Sequence, residues 1–261
     1  MTAKTQRGRV VFIGAGPGAV DLITLRGARH LAQAEVVLFD ALTDPALREF
    51  APQARWVDVG KRGFCDSTGQ ARIDALLVKY ASEGKLVARL KGGDPSVFGR
   101  LEEELAALRR HGIECEVVPG VTAALAAAAQ TQRPLTRRGS GRSVSLSTAM
   151  TQDGQLRAGR RADTEVFYMA GRQLGKLGRA LQAAGWRFDA PVSVVSNAGM
   201  DDGLDSVHLL ADLASAAVLH AGRPTVVTIG AGARPVAGAA LVARSKHGIE
   251  LAADSDLTPA A

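Results

Sequence analysis

Apolar positions fall into short β-branched runs that alternate with Ala/Leu-rich stretches of helical spacing. Residues 9–13 read as a strand ending in the glycines of 14–18, and 22–33 then has helical spacing and good helix formers. Strands follow at 36–39 and 56–59, an amphipathic helix at 73–82 and a strand at 86–90. A helix at 102–111 has Gly112 in place to end it, and a strand follows at 115–118. Strand and helix in alternation build a parallel α/β sheet. The stretch 132–142, rich in Arg, Gly and Ser and holding Pro134, breaks this pattern and reads as a link. Beyond it, strands are expected at 143–147, 165–168, 192–195 and 225–229, with a polar mobile loop at 154–163. An acidic turn at 201–206 leads into a further strand at 207–210. The expected fold class is α/β, in two α/β domains at 1–134 and 135–246 with a disordered tail at 247–261.

Composition narrows the partners. Hydrophobic residues make up 46% of the 261, but aromatics only 4%, so Ala, Val and Leu must build the core. A net charge of +6 favours anionic partners. Aromatic and basic residues do not interleave, which argues against a stacking platform for nucleic acid. No apolar run is long enough to cross a bilayer, and the polar, basic 1–9 is no secretory signal. The expectation is a soluble, cytoplasmic protein with a small-molecule substrate and neither a nucleic-acid nor a membrane partner. Two cysteines form no paired metal or redox motif, and five histidines show no ligand spacing, so no metal is expected.

Three glycine turns follow predicted strands. Gly14-Ala15-Gly16-Pro17-Gly18-Ala19 satisfies the loose dinucleotide pattern, and Asp40 falls near the spacing of a ribose-binding acid. A nicotinamide oxidoreductase is therefore a rival reading. Pro17 opposes it, since a pyrophosphate site needs free backbone N–H groups and proline has none. Residues 91–100, KGGDPSVFGR, lie just past a strand, where open α/β sheets bind ligands. Asp94 there either meets a ligand or caps the following helix. Val118-Pro119-Gly120-Val121-Thr122-Ala123 repeats the arrangement and leads into a helix of small residues at 123–129.

Together these segments resemble the tetrapyrrole methylase superfamily, and within it the branch that methylates uroporphyrinogen III. The resemblance covers 10–229. It rests on GAGPG at 14–18, VVLFD at 36–40, VGKR at 59–62, KGGDPSVFGR at 91–100, VVPGVTAALA at 117–126, PLTRRG at 134–139 and YMAG at 168–171. It implies an active-site cleft between two α/β domains, a homodimer and S-adenosylmethionine as cofactor. It implies two successive C-methylations giving precorrin-2, a precursor of sirohaem and cobalamin; a methylase of a later corrin intermediate is the alternative. The cofactor contacts it implies are Pro17, Gly92, Gly93, Asp94, Val97, Thr122, Ala123, Met169 and Ala198. It assigns proton acceptance to Asp40 and donation to Lys61. Every arm of uroporphyrinogen ends in a carboxylate, so Arg62, Arg100, Arg137 and Arg138, which flank the motifs, are candidate substrate anchors. Glu103, three positions after Arg100, shares its helix face and joins this set.

Overall fold

The computed structural model describes residues 8–60, 69–150, 156 and 158–236. Lys61 and Arg62, the tail at 247–261 and part of the predicted loop at 154–163 lie outside them.

Two strands of the first half are buried almost throughout: β1 (Arg9–Gly14) after Arg9, and β4 (Leu86–Lys91) after Leu86. Strands covered on both faces have no polar face to alternate with, so β1 is apolar from Val10 to Ile13 and β4 from Leu86 to Ala88, before the buried Arg89 and Lys91. β1 pairs with β4 on one side and β5 (Glu114–Val118) on the other. β2 (Val36–Phe39) and β3 (Arg55–Asp58) extend the sheet beyond β4 to the order β3-β2-β4-β1-β5. Every pairing is parallel, so the C-terminal ends of all five strands emerge along one edge. Helices α2 (Gln70–Ser82) and α3 (Leu101–Arg110) cover one face through Ile73, Leu77, Tyr80 and Leu108. On the other face lies α1 (Leu25–Gln33), with Leu31 in the core. This helix starts later than the predicted 22, because the Thr24 hydroxyl accepts from the Gly27 amide and sets the first turn there.

The second sheet is mixed. β6 (Val144–Thr148) runs parallel to β7 (Thr164–Tyr168), whereas β10 (Thr225–Gly230), β8 (Pro191–Ser196) and β9 (Leu204–Leu209) pair antiparallel in the order β6-β7-β10-β8-β9. β9 begins three residues before the predicted 207 and takes in the acidic Asp205. It is an edge strand with no fully buried position, so polar side chains there keep their water. Helices α5 (Leu174–Ala183) and α6 (Ala216–Leu219) cover one face, with Leu174, Leu177, Leu181 and Ala216 in one core with Phe167, Val192 and Val227.

Helix α4 (Ala123–Gln130) leaves the first sheet yet packs on the second. Its Ala124, Ala126 and Ala127 share a core with Val166, Tyr168, Val195 and Val226. Alanine side chains let the helix backbone approach the strands closely. The edge of the first sheet thereby meets the ends of β7 and β8, and the Ala19 amide crosses the seam to the Gly199 carbonyl at 3.1 Å.

Candidate active site

The turns after β1, β4 and β5 touch backbone to backbone. A Cβ on Gly120 would lie 2.3 Å from the Gly93 carbonyl oxygen and 2.7 Å from Gly14 Cα. Gly16 and Gly93 exchange hydrogen bonds, the Gly93 amide donating at 2.6 Å and the Gly16 amide at 3.3 Å. Asp94 accepts from the Ser96 amide on Oδ1 at 2.8 Å and from the Gly120 amide on Oδ2 at 2.9 Å. Its carboxylate therefore straps two turns together. It does not cap α3, whose N-cap position is Arg100 in the left-handed conformation.

Space opens where the other glycines stand. A Cβ on Gly92 would meet only Leu42 Cβ, at 3.4 Å, and one on Gly93 nothing nearer than Thr122 Cα, at 3.9 Å. Across this space stand the segments after β7 and β8. The Thr122 hydroxyl leaves α4 uncapped and pairs instead with the Tyr168 hydroxyl at 2.8 Å, which also accepts from the Ala124 amide at 3.3 Å. Burial pushes the Tyr168 phenol above its ordinary pKa, so it stays neutral. Phe98 packs on Tyr168 with ring centroids 5.0 Å apart. Phe98 and Met169 both hold positive φ (53° and 56°), an uncommon conformation for such side chains, and both stay partly exposed. Val97 and Ala123 pack against the α4 core that contains the buried Ala198, and Pro17 lies against Gly199. The nine predicted cofactor residues thus converge on the junction between the two sheets.

Backbone bonds at the first glycine turn oppose the dinucleotide reading. The Ala15 amide donates to the Lys91 carbonyl at 2.8 Å, that of Gly16 to Gly93 and that of Ala19 to Gly199, while Pro17 has none. Helix α1 begins only at Leu25, so its N-terminus does not open onto the loop. A pyrophosphate needs such donors, and the protein itself engages those of Ala15, Gly16 and Ala19.

A charged cluster lies beneath the cleft floor. Asp40 directly follows β2, and its Oδ1 accepts from Arg89 at 2.7 Å. Arg89, Lys91 and Glu104 are buried to within 3% of full burial. Glu104 accepts from Arg89 at 3.2 Å and from Lys91 at 3.0 Å. Burial, reinforced by the neighbouring Arg89 charge, lowers the Lys91 pKa from its ordinary value. Arg89 and Glu104 belong to no predicted site. Their one sequence signal is a charged residue at a position whose periodicity calls for an apolar one.

The predicted substrate anchors separate. Arg100 is exposed and forms a bidentate pair with Glu103 at 2.7 and 2.6 Å, which raises the arginine pKa and lowers that of the glutamate. Arg137 turns inward: its guanidinium donates to the backbone carbonyls of Ala231 at 2.8 Å, Pro235 at 3.3 Å and Arg234. Arg138 is exposed.

The family model for tetrapyrrole (corrin/porphyrin) methylases matches residues 9–214. The chain is 46% identical over 195 residues to a uroporphyrinogen-III C-methyltransferase of Pseudomonas aeruginosa, covering 73% of this chain and 80% of that one. It is 41% identical to a siroheme synthase of Zymomonas mobilis over 74% of this chain but spans only 42% of that longer protein. Among solved structures, a uroporphyrin-III C-methyl transferase from Thermus thermophilus complexed with S-adenyl homocysteine superposes with a TM-score of 0.75. That match has 35% identity and covers 85% of this chain and 97% of that chain.

Proposed function

Because the chain belongs to the tetrapyrrole (corrin/porphyrin) methylases, we propose that it uses S-adenosylmethionine to methylate uroporphyrinogen III twice in succession, giving precorrin-2. The observation that carries this reading is the open cradle between Gly92–Gly93 and Thr122, walled by Tyr168 and Met169. Bare backbone lets a ligand approach closely, and the apolar Met169 suits packing on an adenine ring. Pro17, Gly92, Gly93, Val97, Thr122, Ala123, Met169 and Ala198 would hold the cofactor, while Asp94 shapes the cradle from behind. When bound, the cofactor supplies a methyl group on a sulfonium for in-line attack by carbon.

The chain's own residues then have three tasks. The cradle and the cleft walls hold the reacting carbon in line, which is chiefly a matter of positioning. Asp40, at the end of β2 with 30% of its side chain exposed, stabilises positive charge on the methylated ring and takes its proton. Exposed Arg100 and Arg138 meet the substrate carboxylates, with Glu103 orienting Arg100. Lys61 and Arg62 come soon after β3 in sequence, and we assign them to the same carboxylates, Lys61 also as proton donor. Arg137 drops out of this set, since its guanidinium is engaged by backbone.

We also take the enzyme to be a cytoplasmic homodimer of two-domain chains, divided at 134/135. Among the described residues no helix is long and apolar enough to cross a membrane. Light scattering at micromolar concentration should give a dimer mass, and a monomer mass would overturn that assignment. The activity itself is tested by anaerobic incubation with uroporphyrinogen III and methyl-labelled S-adenosylmethionine. Mass analysis should find two labelled methyl groups on the macrocycle, and an unlabelled macrocycle would refute the proposal.

A further inference from the structure

Of the four charged groups at the ends of β2 and β4 and on α3, the reaction read above uses only Asp40. Glu104 is wholly buried on α3 and takes part in no step. Its carboxylate accepts from Arg89 Nε at 3.2 Å, from Lys91 Nζ on both oxygens at 3.0 Å, and from Gln70 Nε2 at 3.4 Å. Arg89 donates from one terminal nitrogen to the Leu90 carbonyl at 3.0 Å and from the other to Asp40 Oδ1 at 2.7 Å. A guanidinium is a rigid planar fork. With Nε and the second tine both 3.2 Å from Glu104 and the first tine on the Leu90 backbone, the plane of the fork is fixed, and Asp40 lies along the remaining direction of the second tine. Among the described residues no other side chain donates to the Asp40 carboxylate.

Two cations and two carboxylates balance in this cluster. Burying them costs more than filling the same volume with apolar side chains, so stability alone is a weak reason for the arrangement. Asp40, partly exposed just after β2, carries the cluster to the sheet edge through its bond to Arg89. We infer that Glu104 is a positioning residue, which through Arg89 fixes the direction of the Asp40 carboxylate at the reacting ring. The inference rests on the role given to Asp40 above. A neutral amide at position 104 offers one acceptor oxygen to two cations, so the fork loses its inner anchor and Asp40 its fixed direction.

A double-mutant cycle under anaerobic single-turnover conditions tests this, with uroporphyrinogen III and S-adenosylmethionine as the reactants. Asp40→Asn alone should slow methyl transfer by roughly 10²–10⁴-fold, the usual worth of a positioned acid or base. Glu104→Gln alone should slow it by about 10–10²-fold, the usual loss for a misplaced reacting group. In both variants the KM for uroporphyrinogen and the affinity for S-adenosylhomocysteine should stay near wild type. The double variant should be no slower than Asp40→Asn within about 3-fold, because Glu104 acts through the group already removed. Multiplied losses, or wild-type turnover of Glu104→Gln, overturn the inference while leaving the Asp40 reading intact. Wild-type turnover of Asp40→Asn overturns that reading, and the inference with it. Should Glu104→Gln fail to fold, Arg89→Lys replaces it. Lysine keeps the charge but cannot span both carboxylates, so the same non-additivity with Asp40→Asn is expected and multiplied losses again overturn the inference.

Discussion

The Gly120 amide donates to Oδ2 of Asp94 at 2.9 Å and joins the turn after β5 to the turn after β4. These are the two turns between which the cradle opens. The spacing of the cradle is therefore set by a contact that no ligand makes. The same glycine tolerates no side chain, since a Cβ would sit 2.3 Å from the Gly93 carbonyl oxygen.

Gly120→Ala should accordingly push the two turns apart. Because the obstructing atoms are backbone, relief requires the turns themselves to move. Titration calorimetry should find S-adenosylhomocysteine affinity lowered by about 10-fold or more, since close backbone approach is what the cradle provides. Unchanged affinity would show that the turns do not form the cofactor site.

Arg100→Ala should raise the KM for uroporphyrinogen. Loss of a charge-assisted bidentate contact costs on the order of 1.5–3 kcal/mol, about 10–10²-fold. The Arg100–Glu103 pair is exposed and adds little to stability, so the melting temperature should barely change. S-adenosylhomocysteine affinity should hold as well. A change confined to cofactor affinity would remove Arg100 from the substrate site.

Arg137→Ala should behave in the opposite way. Three backbone carbonyls of the segment after β10 each lose one donor, and two or three such bonds contribute roughly 1–3 kcal/mol. Urea denaturation should show that loss, with the KM for uroporphyrinogen unchanged. A raised KM with wild-type stability would return Arg137 to the substrate site.

His220 makes stability depend on pH. It is fully buried, with Nδ1 2.6 Å from the Ser196 hydroxyl and Nε2 2.8 Å from that of Ser206. Burial, aided by His208 and Arg223, lowers its pKa from 6.5 to about 4. The unfolded chain therefore binds a proton between those values that the folded chain refuses. The stabilising contribution is complete above pH 6.5 and is lost as pH falls toward 4. Its size is on the order of 2–3 kcal/mol. Urea midpoints measured from pH 7 to 4 should fall more steeply for the wild type than for His220→Gln, and parallel curves would contradict the assignment.

What the sequence determined by itself follows from local rules. Gly14 and Gly120 stand where chain turns approach closely, and only glycine satisfies that, so the turns around the cradle are legible in one dimension. β1 is legible because a strand buried on both faces favours a continuous apolar run, here Val10 to Ile13. The start of β9 was hidden because edge strands accept polar residues, so Asp205 looked like part of a turn. Tertiary structure decided what each charge does. Arg100 and Arg137 are the same side chain beside neighbouring motifs, yet one faces solvent and the other grips carbonyls 94 to 98 positions away in the chain. Arg89 and Glu104, 15 residues apart, become partners only when α3 folds back over β4 and shuts water out. An ion's energy depends on its solvent exposure and on every charge nearby, and those are properties of the packed chain that no local pattern of residues contains.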